Sequence, residues 1–209
     1  MNVKDVKDLP EELVLPLASG EPHWYWLGGR PALDLVNTLR ERWRRQVECL
    51  VTPEDLGSWL VASGLLPVPT TVPRAVLTEA RELREAIDAC VRATVAGRTP
   101  PRAAVTLIDD WLVHAGPRPQ LVLADGRLGL SERPPGDSPR RALGTIALDA
   151  ANMLGLPEQR ARVRICASDT CSARFFDRSN AGRRRWCSMQ SCGNAAKARR
   201  HRSRVRAIA

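Results

Sequence analysis

Apolar residues recur at helical spacing through most of the first 157 positions. Around "HWYWLGGRPALDLVNTL", alternation puts Trp24 and Trp26 on one side of a short strand and Tyr25 on the other, and Gly28-Gly29 break it. The residues that follow predict a helix with Leu33, Val36, Leu39, Trp43 and Val47 on one face. "TPEDLGSWLVASGL" predicts a short helix with Thr52 as N-cap, Pro53 at the first helical position and Gly64 closing the end. After the proline-rich connection "LLPVPTTVP", a long helix is expected from Pro73 to Ala96, with Val76, Ala80, Leu83, Ile87 and Cys90 inward and Gly97 as terminator. Another covers roughly 101–114, turning Val105, Ile108, Trp111 and Leu112 inward.

The period then changes. "QLVLADGRLGLSER" places two apolar runs around Asp125-Gly126, a strong hairpin signal. "SPRRALGTIALDAANMLG" returns to helix, with Ser138 as cap, Pro139 at the start, Leu143, Ile146, Ala150 and Met153 or Leu154 inward, and Gly155 and Pro157 at its end. Residues 1–20 look like a loose arm, and no internal repeat at solenoid spacing is visible. The fold class expected is mainly α with a small β component: an N-terminal helical domain, residues 1–157, and a small C-terminal unit, residues 158–209.

Charge changes that picture at its end. Residues 1–157 hold 18 Lys+Arg against 20 Asp+Glu, whereas residues 158–209 hold 14 against 3. The basicity therefore belongs to the last quarter and points to a polyanion. A solvated basic tail is the plain alternative, but the same stretch carries cysteines and aromatics. No apolar run approaches the ~20 residues of a membrane span, and the mixed charge of the first twenty residues lacks a signal-peptide core. A cytoplasmic location is expected, where clustered cysteines are metal ligands more often than disulfides.

Four of the six cysteines lie in "CASDTCSARFFDRSNAGRRRWCSMQSC". Cys166/Cys171 and Cys187/Cys192 each enclose four residues, and fifteen separate the pairs. Four thiolates satisfy tetrahedral Zn2+, and a closed four-cysteine site is structural because no position remains for a substrate. Two tight turns would present the pairs, with "ARFFDRS" as a strand, Asn180–Gly182 as a turn and "RRRWC" leading back, giving a ribbon-like or treble-clef-like finger. Cys49 and Cys90 stand apart and read as packing residues. Two disulfides, or free thiols, are the competing readings.

These residues carry a resemblance. Arg185-Trp186-Cys187-Ser188-Met189 followed by Cys192-Gly193-Asn194, with Cys166, Cys171 and Phe176-Asp177-Arg178-Ser179-Asn180 upstream, resembles the CGNR-type zinc finger of bacterial regulators. "GGRPALDLVNTL" and "TPEDLGSWLVASGL" resemble the ABATE domain that accompanies it. The resemblance implies a stress-related transcription regulator with zinc on the four cysteines. One departure stands out: the motif's final arginine is Ala195 here, so its role is lost or supplied by Arg199, one turn on.

The final segment contains Lys197, Arg199, Arg200, His201, Arg202, Arg204 and Arg206, with no acid after Asp177. Lys197, Arg200, His201 and Arg204 share one face of a helix. Like charges one turn apart repel, so this helix calls for an anionic partner. A helix fits the major groove of duplex DNA, with arginines on guanine and phosphates. Arg199, Arg200 or Arg204 are the candidates for base contact, Lys197 lies on the same surface, and Arg183, Arg184 and Arg185 would hold phosphates from the preceding strand. RNA is the competing partner, since Phe175, Phe176 and Trp186 could stack bases. Membrane binding is disfavoured by the lack of large apolar residues between the charges.

In the N-terminal region, Trp24, Trp26, Arg30, Asp34 and Asn37 could line a pocket for a small-molecule effector, with Thr38 and Glu41 extending the polar face. An ordinary solvated face is the alternative. No glycine-rich phosphate loop or nucleophile elbow is present, and His23 and His114 stand in no catalytic spacing, so no enzyme activity is expected. The reading is a DNA-binding regulator with structural zinc and an N-terminal domain for sensing, dimerisation or both; regulators that read paired half-sites commonly dimerise, so a homodimer is one assembly this reading admits.

Overall fold

The computed structural model describes residues 24–133 and 138–199. The arm read over residues 1–20, His23, and Arg200, His201, Arg202, Arg204 and Arg206 lie outside the described residues. The fold is mainly α with three small antiparallel hairpins.

Helix α1 (Pro31–Val36) leads into the hairpin β1 (Leu39–Arg40) and β2 (Val47–Glu48). The expected helix across Leu39, Trp43 and Val47 is therefore wrong beyond Val36. Asn37 ends it, Glu41 and Gln46 take positive φ of 50° and 52°, and the chain turns back on itself. The expected strand at Trp24–Trp26 is also absent; these residues form irregular chain. Both tryptophans are packing residues: Trp26 stacks on Trp59 at 5.7 Å between centroids, and Trp24 meets Trp26 edge-on at 6.4 Å.

The next four helices follow the pattern closely. α2 (Pro53–Ala62) has the full capping box: Asp55 N–H donates to Thr52 Oγ1, and Thr52 N–H donates to Asp55 Oδ2 at 2.7 Å. α3 (Arg74–Val95) buries Val76, Ala80, Leu83, Ile87 and Cys90 as its central rod. α4 (Arg102–Leu112) buries Ile108 and Trp111 but leaves Val105 exposed. α5 (Pro139–Gly155) is capped by Ser138 and buries Leu143, Ile146, Ala150 and Met153. Gly144 lets α4 and α5 approach, because a Cβ there would fall 2.6 Å from the His114 backbone. α3, α4 and α5 pack on one another, and α1 closes their end.

Between α4 and α5 the ribbon β3 (Arg118–Ala124) and β4 (Arg127–Arg133) projects around the Asp125-Gly126 turn. Leu121 faces Leu130 and Leu123 faces Leu128 in register, and all four are 67–80% exposed. After the short α6 (Pro157–Arg160), β5 (Val163–Ile165) pairs with β6 (Arg174–Phe176). This hairpin belongs to the main core as much as to the cysteine region: Val163 is buried among the helices, and Ile165 and Phe176 pack against them. No open linker separates the two regions. The segment read as a strand at Arg183–Arg185 runs without strand pairing; a wide helical turn, Met189–Gly193, then opens into helix α7 over 194–199.

Candidate metal centre and nucleic-acid interface

β5 and β6 diverge just beyond Ile165 and Arg174, and this brings Cys166 and Cys171 together at their open end. The return of the chain brings in Cys187, and the turn capped by Ser188 brings in Cys192. All four sulfurs lie within 4.8 Å of one another. Cys171 and Cys187 are 3.8 Å apart and Cys187 and Cys192 3.7 Å. Thiolates on a tetrahedral Zn2+ at about 2.3 Å would stand about 3.8 Å apart, so the donor set fits that ion in both spacing and softness. Ala173 N–H donates to Cys171 Sγ at 3.4 Å, a typical support for a bound thiolate.

Without a cation such a cluster cannot ionise completely. Neighbouring S–H donors hold the Cys166 thiol far below its ordinary range, and donating a hydrogen bond to Cys166 pushes Cys171 and Cys187 far above it. A divalent ion removes that conflict. By contrast Cys49 and Cys90 are buried and apart from the group, and burial lifts Cys49 to about 11.

A miniature core of Ala173, Phe175, Cys166 and Cys187 surrounds the cluster, with Trp186 and Leu27 against it. Asp177, fully buried, accepts from Ser179 N–H, Ser179 Oγ–H and Arg184 N–H, and thereby fixes the turn. Several arginines are consumed as internal braces. Arg162 donates to the carbonyls of Asp177 and Ser179, and Arg164 to those of Ala161, Val163 and Gly182. Arg184 donates to Cys187 O at 2.6 Å and lies over Phe175. Arg199 pairs with Asp169 at 2.9 Å and reaches Ser168 Oγ. Arg183, Arg185 and Lys197 are exposed, Arg185 lying over Trp186. Of the cations read as nucleic-acid contacts, the structure thus presents three outward, pairs Arg184 with the Cys187 carbonyl and Arg199 with the exposed Asp169, and leaves Arg200 and Arg204 outside the described residues.

The residues read as an effector pocket are not brought together as one. Arg30 is held by Asp149 at 2.6 Å and Gln159 at 3.0 Å, and stacks over Phe176. Asp34 accepts from Gly28 N–H at 2.8 Å, and burial lifts its carboxyl to about 7. A Cβ at Gly28 would fall 2.7 Å from Asp34 N, so only glycine permits this loop. Asn37 is a clamp on the cysteine region: its Oδ1 accepts from Arg174 N–H at 2.8 Å and its Nδ2 donates to Arg174 O at 2.9 Å. Trp24 and Trp26 belong to the core described above.

Sequence reading missed the strongest link between the two regions. Arg174, 2% exposed, donates through Nε to Asp88 on α3 at 2.7 Å. Asp88 also receives Arg92 at 3.0 Å and Arg42 at 3.4 Å. Phe176 N–H donates to Gly28 O at 2.8 Å, Arg178 donates to Gly29 O, and Trp43 Nε1–H reaches Asp169 O at 3.2 Å. An aspartate four residues before an arginine on α3 was legible as a helix pair; its third partner, Arg174, was not.

Among the described residues no helix is long and apolar enough to cross a membrane. No functionally curated protein matches the chain. Residues 162–205, which contain the four-sulfur cluster, match the CGNR zinc finger. Residues 29–157 match the ABATE family, described as "Putative stress-induced transcription regulator". The helical core with its docked four-cysteine finger therefore belongs to the ABATE family and carries a CGNR zinc finger.

Proposed function

We propose that this chain is a cytoplasmic transcription regulator that binds duplex DNA through its finger, with one structural Zn2+ on Cys166, Cys171, Cys187 and Cys192. The observation that carries the reading is the placement of the four-sulfur cluster. It closes at the start of α7, and Arg183, Arg185 and Lys197 stand exposed around it. Zinc supplies the crosslink that a miniature core cannot. Arg183 and Arg185 take phosphates, Lys197 and the cations after it follow the groove, and the exposed Arg199–Asp169 pair, worth at most about 1 kcal/mol, opens to let Arg199 join them. Four thiolates complete the metal's shell, which leaves no position for catalysis.

The N-terminal region serves assembly and sensing. An isolated two-stranded ribbon is marginal in water, and the four exposed leucines of β3–β4 form a self-complementary patch for a second copy, giving a homodimer that reads paired half-sites. A small-molecule effector fits the cavity of about 530 Å³ between α3, α4 and α5, where Cys90, Val105, Ile108 and Leu112 form apolar walls with Arg98 and Asp109 at the edge.

RNA is less well served: Phe175 is buried and Trp186 packs on the finger's core, so neither is a free stacking platform. In-vitro selection from a duplex DNA library and a single-stranded RNA library, run in parallel on zinc-loaded protein, tests the reading. Enrichment of a duplex sequence is expected; enrichment confined to RNA overturns it.

A further inference from the structure

The finger motif has alanine at its last position, and Ala195 lines a small cavity of about 80 Å³ together with Cys171 and Cys192. The far wall comes from the N-terminal region: Tyr25, Asn37 and Arg40. Arg40 is unusual. It is 8% exposed, its guanidinium lies 3.4 Å from the Tyr25 ring centroid, and its Nη1 is fully buried with no hydrogen-bond partner. Arg45 holds both oxygens of the adjacent Glu41 carboxylate at 2.7 and 2.5 Å, so Glu41 favours the charged form of Arg40 by its charge alone. A buried cation of this kind is costly unless negative charge stands nearby.

The cysteine cluster lines the same cavity and is a source of such charge. Four thiolates around Zn2+ would carry a net charge of about −2; burial pulls the Arg40 guanidinium below its ordinary range, and Tyr25, Cys49, Glu41 and Cys171 oppose that shift. Arg199, the other candidate for the missing arginine, is turned to Asp169 and Ser168. We infer that Arg40 supplies, from the N-terminal region, the positive charge beside the zinc thiolates that the finger's own motif lacks at position 195. This rests on the zinc reading above. Its consequence is linkage: the finger holds its metal most tightly when docked on the N-terminal region, and metal loading tightens that docking by the same factor.

The test is zinc affinity of the full chain, by competition with a chromophoric chelator, for wild type, Arg40→Met, Arg40→Lys, Ala195→Arg and the Arg40→Met/Ala195→Arg double variant. Wild type should bind one zinc. Arg40→Met should still bind one, with affinity about 10–100-fold lower, the usual scale for groups supporting metal ligands. Arg40→Lys should retain most of the affinity. Ala195→Arg should restore affinity in the Arg40→Met background and give no gain in wild type, because two cations would then share one cavity. In the Co2+-substituted protein, the sulfur-to-metal charge-transfer band should move to lower energy in Arg40→Met, a shift that loss of packing alone would not produce. Should Arg40→Met not fold, the wild-type and Arg40→Lys bands decide: coincident bands and affinities within about threefold support the charge role. Equal losses in Arg40→Met and Arg40→Lys, unchanged affinity in Arg40→Met, or no rescue by Ala195→Arg overturn the inference. A wild-type chain that takes up no zinc overturns the zinc reading instead.

Discussion

Asp88 is a single buried carboxylate serving three guanidinium groups, and this makes its replacement unequal to that of its partners. It is 3% exposed and contacts Arg174 at 2.7 Å, Arg92 at 3.0 Å and Arg42 at 3.4 Å. Asp88→Asn keeps the size and removes the charge, leaving Arg174 buried without a counter-ion, at a cost of about 3–5 kcal/mol. Arg174→Met removes the buried cation instead. Asp88 keeps Arg92 and Arg42, and the Asn37 clamp survives because it holds only the Arg174 backbone. That change should cost about 1–2 kcal/mol. At this chain length the first corresponds to a fall in Tm of about 6–20 °C and the second to well under half of it. Thermal and urea unfolding of the zinc-loaded protein, followed by far-ultraviolet circular dichroism, reads both. If Arg174→Met costs more than Asp88→Asn, or Asp88→Asn costs under about 1 kcal/mol, the Asp88 cluster does not anchor the finger.

Three further outcomes are expected. Asp34 is pushed up to about 7 by burial, so the folded state binds its proton more tightly than the unfolded chain does; the stability that Asp34 contributes should fall as pH rises from about 4 to 7, and the difference between wild type and Asp34→Asn should change by a few kcal/mol at most across that range in unfolding curves. Chelation should expose the amides of 166–171 and 186–195 to hydrogen exchange while 163–165 and 174–176 stay protected by the helical core; uniform loss across 160–199 would contradict the shared core. Leu121→Ser with Leu130→Ser should shift a dimer to monomer in sedimentation without loss of helix content, and an unchanged mass would remove the ribbon as the contact.

Where local signals decide the backbone, the sequence was sufficient. Thr52 with Asp55, Ser138 with Pro139, Gly97 and Asp125-Gly126 set element ends by short-range chemistry, and those ends stand where expected. It failed where a distant residue decides. Leu39, Trp43 and Val47 keep helical spacing, but Asn37 is fixed by Arg174 and the chain beyond it folds into a hairpin. Val105, read as inward, rims the cavity between α3, α4 and α5. The cysteine spacing pointed to the four-sulfur cluster because the geometry of a four-thiolate donor set is nearly independent of context. The arginines were harder: charge counting cannot separate Arg183 on the surface from Arg184 bracing Cys187 O or Arg174 buried on Asp88. The shared core of β5–β6 with the helices was hidden for the same reason, since the change in composition near residue 158 marks a change in charge, not a gap in packing.

Binding of zinc-loaded protein to its selected duplex, measured by fluorescence anisotropy from about 50 to 200 mM salt, tests duplex recognition by the finger most directly. Log affinity should fall linearly with log salt, and Arg183→Ala, Arg185→Ala and Lys197→Ala should each weaken binding and flatten the slope by about one unit. Binding that is insensitive to salt and to all three substitutions, or tighter binding to single-stranded RNA than to the duplex, would contradict it.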